Sequence, residues 1–232
     1  MVQQKPKPKT HRVRTKHDEV KESLRLVPRN EKQKLYIDSL YESDQVLVFG
    51  PAGTGKTYVV SSVAADMYNM KEVNKIVITR PHVAVGREIG FLPGTLEEKS
   101  VPWALPVIDV LERHLGKGVV ETAMKNGNIE IAPLALMRGR SFDDTFVICD
   151  EAQNITLHEL KMLVTRIGEG SKLVLNGDIQ QSDLKEADGL SKIIHMAKKY
   201  MLPIPIVEFT VDDIVRSDIC KLWIETFVKE GL

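Results

Sequence analysis

The chain has 232 residues with 32 Lys and Arg against 32 Asp and Glu, and 43% of it is hydrophobic. That length supplies one sizeable core rather than two full domains with a connector, and the balance excludes a disordered or membrane-embedded chain. The apolar runs are strand-sized and the basic start lacks an apolar export core, so the expected location is the cytoplasm.

Lys5, Lys7, Lys9, Arg12, Arg14 and Lys16 all precede the first acid, Asp18, and Pro6 and Pro8 disfavour regular structure among them. Residues 1–27 read as a mobile basic arm, which either holds phosphate backbone without reading sequence or merely solubilises the chain. Asn30 then caps a helix through Tyr41, with Glu31 in its first turn.

The apolar run Gln45 to Phe49 reads as a strand. It opens directly onto Gly50-Pro51-Ala52-Gly53-Thr54-Gly55-Lys56-Thr57, which fits G-x-x-x-x-G-K-[ST]. A helix is expected over Tyr58 to Met70, so the motif has the strand-loop-helix context that it needs. Such a loop turns its backbone N–H groups onto phosphate oxygens at a helix N-terminus. Lys56 then reaches the β and γ phosphates and the Thr57 hydroxyl ligates Mg²⁺. The competing reading is a Gly-rich turn between two core elements.

Next come a strand at Lys75 to Thr79, a Gly/Pro-rich stretch from Pro81 to Pro106, a helix at Val107 to Leu115 and a strand at Ile129 to Ala132. The Pro81 stretch is long for a simple connection and is read as functional. Phe146-Val147-Ile148-Cys149 is a buried-strand run that ends in Asp150-Glu151-Ala152-Gln153. An acid at such a strand end holds Mg²⁺, and a neighbouring Glu polarises the attacking water, so Asp150 takes the first role and Glu151 the second. A helix at Thr156 to Ile167 leads to the strand Lys172 to Asn176 and then to Gly177-Asp178-Ile179-Gln180-Gln181. Gln181 is the candidate sensor of the γ-phosphate, whereas Gly177-Asp178 alone is also an ordinary turn. Helices at Leu190 to Tyr200 and Ser217 to Lys229, with a strand at Ile206 to Phe209, complete the alternation. The pattern is α/β: a doubly wound, mainly parallel sheet with helices on both faces and a ligand crevice at the carboxyl ends of the strands. Cys149 and Cys220 form no C-x-x-C pair and read as buried thiols, and the six His lack ligand spacing for zinc.

Taken together, these segments resemble the PhoH family of P-loop ATPases, whose core is RecA-like and helicase-related. The resemblance runs from about Asn30 to Phe227. Besides the P-loop and Asp150-Glu151-Ala152-Gln153, it is carried by Thr79-Arg80-Pro81, Gly90-Phe91-Leu92-Pro93-Gly94, Ala132-Pro133-Leu134 with Met137-Arg138-Gly139-Arg140, Thr165-Arg166-Ile167 and Gly177-Asp178. His82, Arg87, Asn176 and Ser217 depart from the family pattern. The resemblance implies one ATPase domain over residues 28–232, with ATP and Mg²⁺ as cofactors. It implies that Gln33 reads adenine, the alternative being a solvated helix residue, and that Gln153 links the hydrolysis site to its surroundings. It also implies that Arg216 acts as a finger on a neighbour's γ-phosphate, the alternative being a structural ion pair. A single domain then needs a second copy to complete the site, which predicts a ring, most simply a hexamer. Arg80, Arg87, Arg138 and Arg140 are the candidates for a single-stranded backbone, with Phe91, Trp103 and Phe142 as stacking partners. The expected activity is an oligomeric Mg²⁺-dependent ATPase acting on single-stranded nucleic acid, RNA before DNA, as a helicase or remodelling motor. The alternatives are an ATP-gated switch without translocation and, more weakly, a ribonuclease-associated role.

Overall fold

The computed structural model describes residues 26–81, 96–179 and 189–230. Among them lie six strands: β1 (Gln45–Phe49), β2 (Lys75–Thr79), β3 (Ile129–Ile131), β4 (Thr145–Cys149), β5 (Lys172–Gly177) and β6 (Ile206–Glu208). Seven α-helices accompany them: α1 (Glu31–Glu42), α2 (Lys56–Met70), α3 (Leu96–Leu115), α4 (Lys117–Lys125), α5 (Leu157–Val164), α6 (Gly189–Lys199) and α7 (Asp218–Glu230). The strands form one sheet in the order β3-β2-β4-β5-β1-β6, and every pairing is parallel. The fold is therefore the expected RecA-like α/β architecture.

Strands covered on both faces must be apolar throughout, and these are. Val46, Val48, Ile76, Ile78, Phe146, Ile148 and Val174 enter one core, which α1, α2, α3 and α4 cover. Leu47, Val77, Val147, Leu173 and Leu175 point the other way, into a core that α5 and α6 cover. Each fully buried aliphatic side chain of this kind stabilises by about 1.5–3 kcal/mol. The sheet is rigid for that reason, and it holds the ends of β1, β4 and β5 in fixed register.

Two expectations change. The helix read as starting at Val107 begins at Leu96 and runs through both Pro102 and Pro106. Each interior proline removes an intrahelical donor and is costly. Here Ala104, Val107, Ile108 and Leu111 are buried in the first core, and that packing outweighs the local preference. The short helix α4 was not expected at all. Of the two cysteines, Cys149 is buried as expected, but Cys220 is only half-buried. Among the described residues no helix is long and apolar enough to cross a membrane.

Candidate nucleotide site

The P-loop leaves β1 at Gly50, whose φ of 141° only glycine adopts without strain. A Cβ there would also lie 2.3 Å from the Phe209 carbonyl oxygen, so the position has neither the conformation nor the space for a side chain. The loop closes on Gly55, left-handed at φ 85°, which caps α2. Between them the Lys56 ammonium donates to the carbonyls of Gly50 at 2.7 Å and Pro51 at 2.9 Å. Lys56 thus folds back over its own loop, and burial lowers its pKa against the opposing pull of Asp178, Asp150 and Glu151.

Thr57, at the start of α2, meets the ends of β4 and β5. Its hydroxyl donates to Asp150 Oδ1 at 3.3 Å. The Asn176 amide donates to Asp150 Oδ1 at 2.7 Å and to Thr57 Oγ1 at 3.1 Å. Asn176 is 1% exposed, and its Oδ1 is buried with no hydrogen-bond partner among the described residues. Burial, with the Glu151 carboxylate next in size, pushes Asp150 up to about 6. A hydroxyl, a carboxylate and an unpaired amide oxygen are hard donors in a site short of positive charge, so these residues fit Mg²⁺. Thr57 and Asp150 would hold it, with Asn176 behind them.

Glu151 stands in a left-handed conformation, φ 53°, uncommon for a residue with a side chain. Strain of this kind clusters at functional sites, and a 2.6 Å bond from Gln153 Nε2 to Glu151 Oε2 fixes the carboxylate of this residue. The Gln153 Oε1 accepts from the Asp178 backbone N–H at 2.9 Å. One buried carboxamide therefore ties Glu151 at the end of β4 to the loop leaving β5. Lys56, Thr57, Asp150, Glu151, Asn176 and Asp178 line a cleft of about 320 Å³, together with Gly53, Tyr58, Pro106 and Arg216.

A second cleft of about 650 Å³ continues from the loop and is lined by Arg29, Gln33, Tyr58, Arg113 and Arg216. Gln33 is not a solvated residue: it is 4% exposed, its Nε2 donates to the Thr54 carbonyl at 2.9 Å, and its Oε1 accepts from Arg29 N at 2.9 Å. A carboxamide carries two donors and two acceptor sites, so these two bonds use one of each. Asn30 sets this up by capping α1, its Oδ1 accepting from Gln33 N and its Nδ2 donating to the Asp213 carbonyl. Arg216 lies against the chain's own P-loop. A Cβ on Gly53 would come within 2.9 Å of Arg216 Cγ, and Val215 N donates to the Gly53 carbonyl. Among the described residues no acid lies within ion-pair distance of Arg216.

The nucleic-acid candidates fare differently. Arg140 makes two bonds, of 2.6 and 2.7 Å, to Glu130, which also pairs with Lys75 at 2.6 Å. It further stacks over Phe142, 5.0 Å from the ring centre. Arg140 is thus committed to β3 and β2 rather than offered to a phosphate, and it pulls Glu130 down to about 2. Phe142 is 2% exposed and Trp103 packs against the first core, so Phe142 is no stacking platform and Trp103 is a packing residue. Arg80 sits close enough to Asp150 to oppose its upward shift, and Arg138 is exposed. Arg87, Phe91 and Gln181 lie outside the described residues, as do residues 1–25 of the basic arm.

Sequence reasoning noted Asn176 only as a departure and did not single out Tyr58 or Arg113. An Asn ending an apolar strand beside a Gly-Asp pair was the available signal for the first.

Comparison with known proteins agrees with this geometry. The sequence pattern of PhoH-like proteins matches residues 25–228. A PhoH-like protein of Bacillus subtilis is 41% identical over 202 residues, covering 86% of this chain and 63% of that protein. The PhoH protein of Escherichia coli is 39% identical over 200 residues, covering 84% and 56%. The chain therefore spans less than two thirds of the length of these relatives. Among solved structures, the large terminase of a thermophilic bacteriophage superposes with a TM-score of 0.52 over 88% of this chain and 50% of that one. At 15% identity that likeness speaks for the fold alone.

Proposed function

The chain belongs to the PhoH-like family, and from that premise we propose that it binds and hydrolyses ATP with Mg²⁺, coupling turnover to single-stranded nucleic acid, RNA before DNA. The observation that carries the hydrolytic reading is the convergence of Lys56, Thr57, Asp150, Asn176 and Glu151 on one cleft.

Binding requires Lys56 to leave the Gly50 and Pro51 carbonyls for phosphate oxygens, while the N–H groups of the loop take up the remaining charge. Bound Mg²⁺ supplies Lewis-acid neutralisation of the phosphate charge. Glu151, aimed by Gln153, takes a proton from the attacking water. Arg216 lies beside its own loop and serves the chain's own nucleotide, where a guanidinium stabilises developing charge. Gln33, with Tyr58 and Arg113 around it, receives the base. On this reading of Arg216 as acting in cis, an assembly such as a hexameric ring needs a reason other than the arginine.

A second reading gains weight from Arg140 and Phe142, which are occupied within the fold. With fewer groups for a strand to bind, an ATP-gated switch without translocation becomes the alternative. Steady-state ATP hydrolysis with and without single-stranded RNA and DNA separates the two, with Glu151→Gln as the contamination control. Stimulation by a polymer supports the coupled ATPase. Turnover indifferent to both, and lost in the variant, supports the switch, and turnover unchanged by Glu151→Gln refutes the assigned base.

A further inference from the structure

Tyr58 stands where the two clefts of the nucleotide site meet. With Gly53, Gly55 and Arg216 it lines both the cleft that holds Lys56 and Asp150 and the larger one that holds Gln33, and among the described residues it is the only aromatic that lines either. It is 44% exposed, so much of its ring is open. A nucleotide with its phosphates on the P-loop and its base at Gln33 must pass this ring. Gly55 and Tyr58 are one turn apart on α2, and a Cβ on Gly55 would lie 2.8 Å from Gln33 Nε2. The Gln33 carboxamide and the Tyr58 ring therefore flank the same turn. An aromatic side chain in that position has a use that a polar one lacks, because every base has a π face to stack.

A half-exposed ring grips a ligand well only when its orientation is fixed beforehand. The fixing comes from the end of α3. His114 packs against Tyr58 with ring centroids 6.4 Å apart and planes at 60°, an edge-to-face pair. Arg113, its neighbour in the chain, lines the larger cleft, so this end of α3 is one wall of it.

Hydrogen bonding does not explain a histidine here. Its side chain is 4% exposed, yet Nδ1 is 3.9 Å from Asp66 Oδ1, beyond hydrogen-bond reach. Nε2 is buried with no partner among the described residues. A buried ring nitrogen without a partner costs stability, so packing alone would favour an apolar residue at this position. The contact of defined geometry that the imidazole does make is with Tyr58.

We infer that Tyr58 is the platform on which the nucleobase stacks, and that His114 is the positioning residue that sets the angle of that ring. This rests on the ATPase reading and adds to it a part of the site that sees the base and ignores the phosphates.

The test measures binding of ATP and of inorganic tripolyphosphate, each with Mg²⁺, by titration calorimetry on the full chain, with KM and kcat alongside. Tyr58→Ala should weaken ATP about tenfold or more, and His114→Ala about threefold to tenfold, as for loss of a stacked base and of an aromatic pair. Tripolyphosphate should bind both variants as it binds wild type, and His114→Ala should raise KM while leaving kcat unchanged. His114→Phe keeps a ring against Tyr58 and gives up the nitrogens, so it should restore most of the ATP affinity. His114→Gln keeps a polar group and gives up the ring, so it should not. These two also carry the test if His114→Ala fails to fold. ATP affinity unchanged in His114→Ala, equal losses for ATP and tripolyphosphate, or rescue by Gln and not by Phe would each overturn the inference. Wild type that binds tripolyphosphate as tightly as ATP overturns it too and leaves the phosphate cradle standing. Wild type that binds neither strikes the ATPase reading, and the inference with it.

Discussion

Asn176→Leu removes a donor of nearly the same size from the centre of the candidate metal site. In the structure that amide gives Asp150 a 2.7 Å bond and Thr57 a 3.1 Å bond. A hydrogen bond to a charged group is worth about 1.5–3 kcal/mol, so losing the Asp150 bond alone amounts to roughly 10- to 150-fold. The loss falls on the charged form of Asp150, which burial already disfavours. The variant should therefore hold its proton to higher pH and yield it less readily to a metal. It also lacks the unpaired Oδ1, an acceptor suited to a metal-bound water. The assay is equilibrium binding of a fluorescent ATP analogue, titrated with Mg²⁺ and repeated in chelator. Affinity in chelator should change by less than about threefold, because the phosphate cradle is untouched. The gain on adding Mg²⁺ should shrink by one to two orders of magnitude, and Asn176→Asp should not restore it, since it sets a second carboxylate against the first. An unchanged Mg²⁺ titration in Asn176→Leu would refute the reasoning.

The same carboxylate sets a pH dependence. Asp150 is raised from 3.8 to about 6, so its effect on the nucleotide-free fold is a stability present below pH 4 and lost as pH rises to 6, about 3 kcal/mol in total. Asp150→Asn should flatten that part of a denaturation series between pH 4 and 7, and a series identical to wild type counts against it. Glu130 works in the opposite sense and in another window, since Arg140 and Lys75 lower it from 4.5 to about 2 and its stabilisation is lost as pH falls through that range. Arg140→Ala should cost about 1 kcal/mol of stability, discounted for a pair that is about 30% exposed, and should barely weaken RNA or DNA binding. A tenfold binding loss at unchanged stability would restore Arg140 to the nucleic-acid surface. If Arg216 serves its own nucleotide, then mixing Arg216→Ala with Lys56→Ala chains should recover no ATPase activity. Recovery in demonstrably mixed assemblies would return it to a neighbour's site.

What could be read in the sequence was whatever depends on near neighbours along the chain. Val46-Leu47-Val48 and Phe146-Val147-Ile148 announce strands buried on both faces, because a run without polar alternation has no solvent side. The P-loop and the Asp150-Glu151 pair follow strand ends directly, so parallel pairing alone brings them together. What could not be read depends on partners far away in sequence. Arg140 looks available until Glu130 is seen to hold it, and Phe142 looks like a platform until the core closes over it. Gln33 looks solvated on its helix until the Thr54 carbonyl, 21 residues on, is found beneath it. Pro102 and Pro106 argue locally against helix, and only burial of the residues around them overrides that.

The arrangement of charge is what favours the proposed metal nucleotide at this site. Asp150, Glu151 and Asp178 stand together at the ends of β4 and β5, and Lys56, the cation that faces all three, is spent on the carbonyls of its own loop. Phosphate alone would draw Lys56 away and bring more negative charge toward the two carboxylates of β4. A divalent cation alone would relieve Asp150 but leave Lys56 where it is. Only together do both changes offset: the lysine gains an anion, the carboxylates gain a cation, and the Asn176 oxygen gains a donor. Gln153 carries that change outward, because it bonds Glu151 at one end and the Asp178 backbone at the other. Any shift of Glu151 toward a water therefore acts on the loop that leaves β5. Gln153→Ala should slow turnover well beyond its effect on nucleotide affinity, because the bond it removes aims the base and not the phosphate cradle. Equal losses in both would make Gln153 a residue of general support instead.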